Sequence, residues 1–174
     1  YKKKHLGTFG DIGILSFNGN KIITTGGGGA ILTNNVKIFK LAKHLTSTAK
    51  KNHIWDFYHD HVGWNYRMPN LNAALGCAQM ESLEKILRNK RKLTLKYRKY
   101  FDKVNEFELF SEPDYCASNY WLNIILLKKP NLTLRNMILS KAVENGFKCR
   151  PVWTLLPKLP MYKRARQGIG YLTQ

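Results

Sequence analysis

Short apolar runs separated by turn-forming residues open the chain. Leu15-Ser16-Phe17, Ile22-Ile23-Thr24 and Ala30-Ile31-Leu32-Thr33 each read as a brief strand, connected by Asn18-Gly19-Asn20 and then by the run Gly26 to Gly29. The period then lengthens. Asn34 or Asn35 can cap a helix whose apolar positions Val36, Phe39, Leu41, Ala42 and Leu45 favour one side. The aromatic, polar stretch KKNHIWDFYHDHVGWNYRMPN shows no clean period and reads as a loop. Pro69-Asn70 opens a helix rich in small residues (Ala73, Ala74, Gly76, Ala78), suited to close packing, which is expected to run with a bend into a basic helix ending near Val104. Beyond it, EFELFSEP and YWLNIILLKK read as strands. Thr133 to Asn145 reads as a helix stopped by Gly146, and FKCRPVW as a further strand. Strands and a helix after a long helix predict a second, smaller α+β unit.

Composition narrows the class. With 174 residues, 44% of them hydrophobic, the chain can bury a core, and no apolar run approaches the roughly 18 residues that span a bilayer. Cys77, Cys116 and Cys149 are odd in number and widely spaced, which fits a reducing compartment and neither a disulfide frame nor a CxxC metal site. A cytoplasmic protein with no membrane partner is the expectation. The net charge of +18 raises nucleic acid as a partner. The lysines are scattered, however, and in RNKRKLTLKYRKYFDKV they share a helix with an apolar stripe, so a solvated helix face is the preferred reading and no specific nucleic-acid partner is expected. The chain starts at YKKKHLGTFGDIG without methionine and ends in RARQGIGYLTQ without a recognisable closing element; both features suggest part of a longer protein.

Between Lys4 and Lys37 a single lysine, Lys21, stands beside Phe17, Ile22 and Ile23. A lysine held among apolar neighbours loses part of the hydration that favours its ammonium form, and the neutral amine is a nucleophile able to form a Schiff base. Spacing alone leaves open a lysine at a hairpin tip pointing into water. The four glycines match neither GxGxxG nor GxxxxGK[ST], and they offer either close approach to the backbone or a plain flexible turn.

Three ordered blocks carry a resemblance. GTFGDIGILSFNGNKIITTGGGGAILTN is similar to the cofactor-lysine segment of the DegT/DnrJ/StrS-type sugar aminotransferases, with a Ser-Phe pair, three residues, the lysine, a threonine-rich stretch and a glycine pair. HVGWNYRMPNLNAALGCAQMESLEKI resembles the family's G-x-N-x-R-M segment, followed by a small-residue helix and a glutamine. NGFKCRPVWTLLPKLPMY resembles its closing Arg, Pro-Leu and Pro-x-Tyr stretch.

The resemblance implies an α/β fold: the C-terminal part of a fold-type-I large domain that binds pyridoxal phosphate (PLP) over residues 1–80, then a small α+β domain over 81–174. It implies that Lys21 is the catalytic Schiff-base lysine and proton shuttle, and that Ser16 contacts the cofactor phosphate. Asn65 would reach the phosphate site of the neighbouring subunit in a homodimer. Arg67 would bind phosphate or the donor's carboxylate, or buttress its loop, and Trp64 and His61 would, together with His59, either line the substrate pocket or pack at the dimer interface. No metal site is expected. The implied reaction passes an amino group from glutamate through PLP to a keto-sugar nucleotide, and the wording around Lys21 is nearest the branch acting on UDP-linked 4-keto-6-deoxy-N-acetylhexosamines. The family's phosphate loop, ring-stacking aromatic and aspartate for the ring nitrogen have no matching position in these residues, so the chain alone is expected to bind PLP poorly. A non-catalytic remnant that keeps the fold and the dimer surface is the alternative.

Overall fold

A computed structural model describes residues 1–165; the stretch from 166 onward, where the sequence shows no closing element, lies outside the described residues. A 3-10 turn at Leu6–Thr8 leads into strand β1 (Gly13–Ser16), which pairs antiparallel with β2 (Gly29–Leu32), Gly13 opposite Leu32 and Ser16 opposite Gly29. Helix α1 (Val36–Leu45) starts where the Asn35 side chain accepts hydrogen bonds from the Lys37 and Ile38 amides at 2.9 and 3.3 Å, as the sequence predicts for an Asn cap. Lys43 and His44 occupy its last turn, where positive charge suits the carbonyl end of the dipole.

Two helices follow the aromatic loop, α2 (Asn70–Glu81) and α3 (Leu83–Phe101). The expected bend is a full break. The Ser82 amide donates to the Gln79 carbonyl at 3.2 Å and closes α2 before α3 begins. Helix α3 carries Glu84 in its first turn and Arg98 and Lys99 in its last, complementing its dipole. Its inner face packs on a second antiparallel pair, β3 (Phe107–Leu109) and β4 (Ile125–Leu127). Thr94, buried on that face, donates to Asn123 Oδ1 at 2.8 Å, and Phe101 meets Phe107 edge to face with centroids 5.8 Å apart. Helix α4 (Leu132–Glu144), capped by Asn131, ends at Gly146 with φ +82°. There the Phe147 amide bonds to the Ala142 carbonyl at 2.9 Å, the six-to-one bond of a Schellman stop.

Two expected strands are absent. Residues 22–24 lie in a loop, because the Thr24 hydroxyl donates to the Phe17 carbonyl and its amide donates to Gln79 instead of to a strand edge. FKCRPVW has no paired neighbour among the described residues, and Pro151 within it lacks an amide to donate.

The fold is open. Among the described residues the buried apolar side chains are Ala49, Leu109 and Tyr120, and the accessible surface is 15373 Å². A compact monomer of this mass would expose about 8,800 Å². Ile54 is 91% exposed, and Val62 and Leu71 are nearly as bare, so the loop after α1 and the start of α2 lack an apolar partner within the described residues. None of the helices among those residues is long and apolar enough to cross a membrane.

Candidate active site

The lysine turn is built between β1 and β2. Past Ser16 the pairing continues as the Phe17 amide donates to the Gly28 carbonyl at 3.0 Å, and the chain turns as the Lys21 amide donates to the Asn18 carbonyl at 3.0 Å. It returns through the Thr25 amide, which donates to the Phe17 carbonyl at 3.1 Å. The glycine run has distinct duties: Gly28 holds φ +99°, open at low cost to glycine, and a Cβ on Gly29 would lie under 3.0 Å from the Leu15 carbonyl oxygen.

Helix α2 fastens the loop from below. Asn72 Nδ2 donates to the Thr25 carbonyl at 2.5 Å, and Gln79 Oε1 accepts from the Thr24 amide at 3.3 Å. Thr25 is 3% exposed, with its methyl against Gly76, where an added Cβ would stand 3.0 Å from it. Asn72, Gly76 and Gln79 of α2 therefore dock the lysine loop.

Lys21 is half-buried. Lys21 Nζ lies 4.1 Å from the ring centroid of Trp121, a residue from the segment ahead of β4. No acidic side chain pairs with the Lys21 amine among the described residues. Ser16 ends β1, exposed, with its hydroxyl unpaired among those residues.

The loop carrying Asn65 is zipped to the end of α1. The Trp64 amide donates to the Leu45 carbonyl at 2.7 Å and the Tyr66 amide to the Thr46 carbonyl at 2.9 Å, leaving Asn65 opposite Ser47 and exposed. A cleft of about 720 Å³ opens beside it, walled by Gly27 to Gly29, by Phe39 and Lys43 of α1, and by Tyr66, Arg67 and Met68. Lys43 and Arg67 are its charged lining and no carboxylate lines it, so it favours an anion. Of the expected site residues, the structure brings Arg67 to this cleft with the glycine run. Lys21, Ser16, Asn65, Trp64 and His61 do not line it. The Trp64 ring stacks on Tyr66 with centroids 6.1 Å apart.

His61 belongs instead to an ion-pair cluster. Its Nδ1 lies 3.0 Å from Asp60 Oδ1, His44 Nε2 lies 2.5 Å from the same oxygen, and Lys51 Nζ is 3.0 Å from Oδ2. The His61, His44 and Lys51 bonds hold the Asp60 carboxyl far below the ordinary carboxylate range. His44, without a partner in the linear sequence, finds one in space. His44, Asp60 and His61 bring three ligand atoms within 4.8 Å of one another, a set the sequence reading did not anticipate. The Lys51 ammonium meets the other carboxylate oxygen, so both oxygens of Asp60 are partnered and the loop is tied to the end of α1. His59 Nδ1 lies 2.7 Å from the Thr48 carbonyl, a bond internal to the loop.

Over residues 1–171 the sequence matches the DegT/DnrJ/EryC1/StrS aminotransferase family. The chain belongs to this family. It is 35% identical over 169 residues to GDP-perosamine synthase of Escherichia coli O157:H7, covering 96% of this chain and 44% of that protein. To the UDP-4-amino-4,6-dideoxy-N-acetyl-beta-L-altrosamine transaminase of Campylobacter jejuni strain 81-176 it is 36% identical over 128 residues, or 73% of this chain and 34% of the other. The aminotransferase TlmJ from Streptoalloteichus hindustanus shares the fold, with a TM-score of 0.84 at 21% identity over 92% of this chain and 43% of that one. The chain thus spans less than half the length of the curated relatives it matches. DegT-family aminotransferases work with PLP. The residues present fit that cofactor in part: a primary amine on a turn fixed from both sides, and an unpaired hydroxyl at the strand end five residues earlier.

Proposed function

We propose that the complete protein is a PLP-dependent aminotransferase acting on a keto-sugar nucleotide for cell-surface glycan or polysaccharide synthesis. The observation that carries this reading is the Lys21 turn, a lone lysine fixed between paired strands and welded to α2, in a chain of the DegT family. When bound, PLP supplies the electron sink of the reaction. Lys21 supplies the amine that attaches it and afterwards carries a proton at Nζ. Ser16 offers its hydroxyl to the phosphate, and Asn65 offers its side-chain amide N–H to the phosphate of the neighbouring copy in a two-fold dimer. Arg67, with Lys43 beside it, binds an anion in the cleft, and the donor's carboxylate suits that pair. Trp64 and His61, on the exposed loop, contact substrate from the rim. Glutamate is the proposed donor and a UDP-linked 4-keto-6-deoxy-N-acetylhexosamine the proposed acceptor. Residues 1–80 belong to the large domain and residues 81–174 to the small one, and the remainder of the large domain supplies the contacts to the cofactor ring.

The test is reduction with borohydride after PLP is added to the complete protein, followed by peptide mapping and an assay with glutamate and the keto-sugar nucleotide. Label on Lys21 and a 4-amino product are expected. Label on another lysine refutes the site, and a labelled but inactive protein refutes the substrate. The alternative is a remnant that keeps the fold and the dimer surface without turnover, and a complete protein that shows no PLP absorbance band would favour it.

A further inference from the structure

Two features of Trp121 converge on Lys21 from a point 100 residues away in sequence. The indole Nε1–H donates to the carbonyl of Asn20, the residue before the lysine, at 2.6 Å. The indole face meets Lys21 Nζ at 4.1 Å from the ring centroid, where the negative ring quadrupole attracts an ammonium. One side chain thus holds both the main chain and the amine of the turn.

The ring is itself held. Trp153 stacks on it with centroids 6.1 Å apart and planes 17° from parallel. The Trp121 amide donates to Asn119 Oδ1 at 3.0 Å, and Lys90 Nζ from α3 donates to the Trp121 carbonyl at 3.4 Å. Tyr120, immediately before it, is buried at 8% exposure with φ +45°, a left-handed conformation unfavourable for a bulky residue. Such strain persists only where the surroundings over-determine it. Here it presents Trp121 outward while the Tyr120 ring stays inside.

We infer that Trp121 is a positioning residue for Lys21, keeping the ε-amine docked at the site whenever it is not bonded to the cofactor. This rests on the reading of Lys21 as the cofactor lysine. A free lysine side chain has four rotatable bonds and would otherwise be drawn into water. A soft aromatic face retains the amine without a carboxylate that would trap it in a rigid ion pair. Because Trp121 precedes β4 while Lys21 follows β1, the contact also couples the β3–β4 sheet to the chemistry of the lysine turn.

The experiment uses the complete protein, freed of cofactor and carrying ¹³C-labelled lysine, with Lys21→Arg to assign the resonance. In the wild type the Lys21 ε-methylene protons are expected upfield of those of the other lysines, displaced by the indole ring current. Trp121→Leu should return them to the common position, and Trp121→Phe should retain part of the displacement. In the holoenzyme Trp121→Leu should lower kcat about fivefold to tenfold, with KM for the sugar nucleotide changed less than about twofold, and Trp121→Phe should recover most of the loss. An undisplaced wild-type resonance overturns the inference, and that measurement depends on no variant that could fail to fold. A kcat unchanged in Trp121→Leu overturns it as well. Borohydride labelling distinguishes the two readings: label on Lys21 with an undisplaced resonance removes the positioning role alone, and label elsewhere removes the function assigned to Lys21 and the positioning role together.

Discussion

Gly29→Ala tests the architecture of the lysine turn most directly. The added Cβ would fall under 3.0 Å from the Leu15 carbonyl oxygen, where ordinary contact begins near 3.4 Å, and the obstacle is backbone in the paired strand, which cannot rotate away. The strands must part by several tenths of an ångström at the Ser16–Gly29 pair, and the adjoining bond from the Phe17 amide to the Gly28 carbonyl, 3.0 Å long, must stretch with them. Overpacking of this kind costs about 1–3 kcal/mol, and a weakened hydrogen bond adds about 0.5–1.5 kcal/mol. A loss of about 1.5–4.5 kcal/mol is therefore expected. Gly27→Ala, two positions earlier in the same run, supplies the control: nothing lies within 4 Å of its added Cβ, so a change within about 0.5 kcal/mol is expected. The assay is urea denaturation of the complete protein, comparing midpoints at constant slope. Equal destabilisation by the two substitutions, or none by either, would refute the claim that Gly29 is fixed by the approach of β1.

Lys21→Ala should fold and lose transamination; activity above about one per cent of wild type in a coupled assay contradicts an essential amine. If Asn65 completes the neighbouring site, a Lys21 variant mixed with an Asn65 variant should regain activity through heterodimers with one intact site, and inactivity after proven subunit exchange excludes sharing. The folded-state pKa of Asp60 is depressed, so its ion pairs contribute stability that is fully present above the ordinary value of 3.8 and is lost as pH falls below it. Asp60→Asn should accordingly be destabilised relative to wild type at neutral pH, with the gap narrowing below pH 3.8, and a gap independent of pH contradicts the pairing. Binding to oligonucleotides should be weak, indifferent to sequence and abolished near physiological salt; salt-resistant, sub-micromolar binding in a titration would restore a nucleic-acid role.

What could be read from the sequence was local. Asn35 as a cap, Gly146 as a stop and the Gly26 to Gly29 run as a turn depend on residues a few positions apart, and each is realised. The misreadings share one cause. Ile22-Ile23-Thr24 carries strand-forming side chains, but the two polar groups of Thr24 are claimed by Phe17 and by Gln79, the latter 55 residues away. The break at Ser82 lies inside a stretch whose helical period does not lapse. Asp60 was visible as one acid among aromatics, and only folding brings it to His44 on α1. Trp121 read as a strand residue, since nothing near it in sequence announces a lysine turn 101 residues earlier. The signal that could have found it was the adjacent pair Tyr120-Trp121, two rings that a single strand turns to opposite sides.

The open surface also changes the meaning of the chain's charge. A polypeptide that leaves Ile54, Val62 and Leu71 bare would ordinarily self-associate through those side chains. A net charge of +18 would oppose such encounters between copies of this chain by mutual repulsion, so the lysines would act as a dispersant for the apolar side chains that these residues leave bare. Polyanions or high salt remove that repulsion while leaving the bare side chains in place. Under those conditions turbidity should develop well before any helix melts.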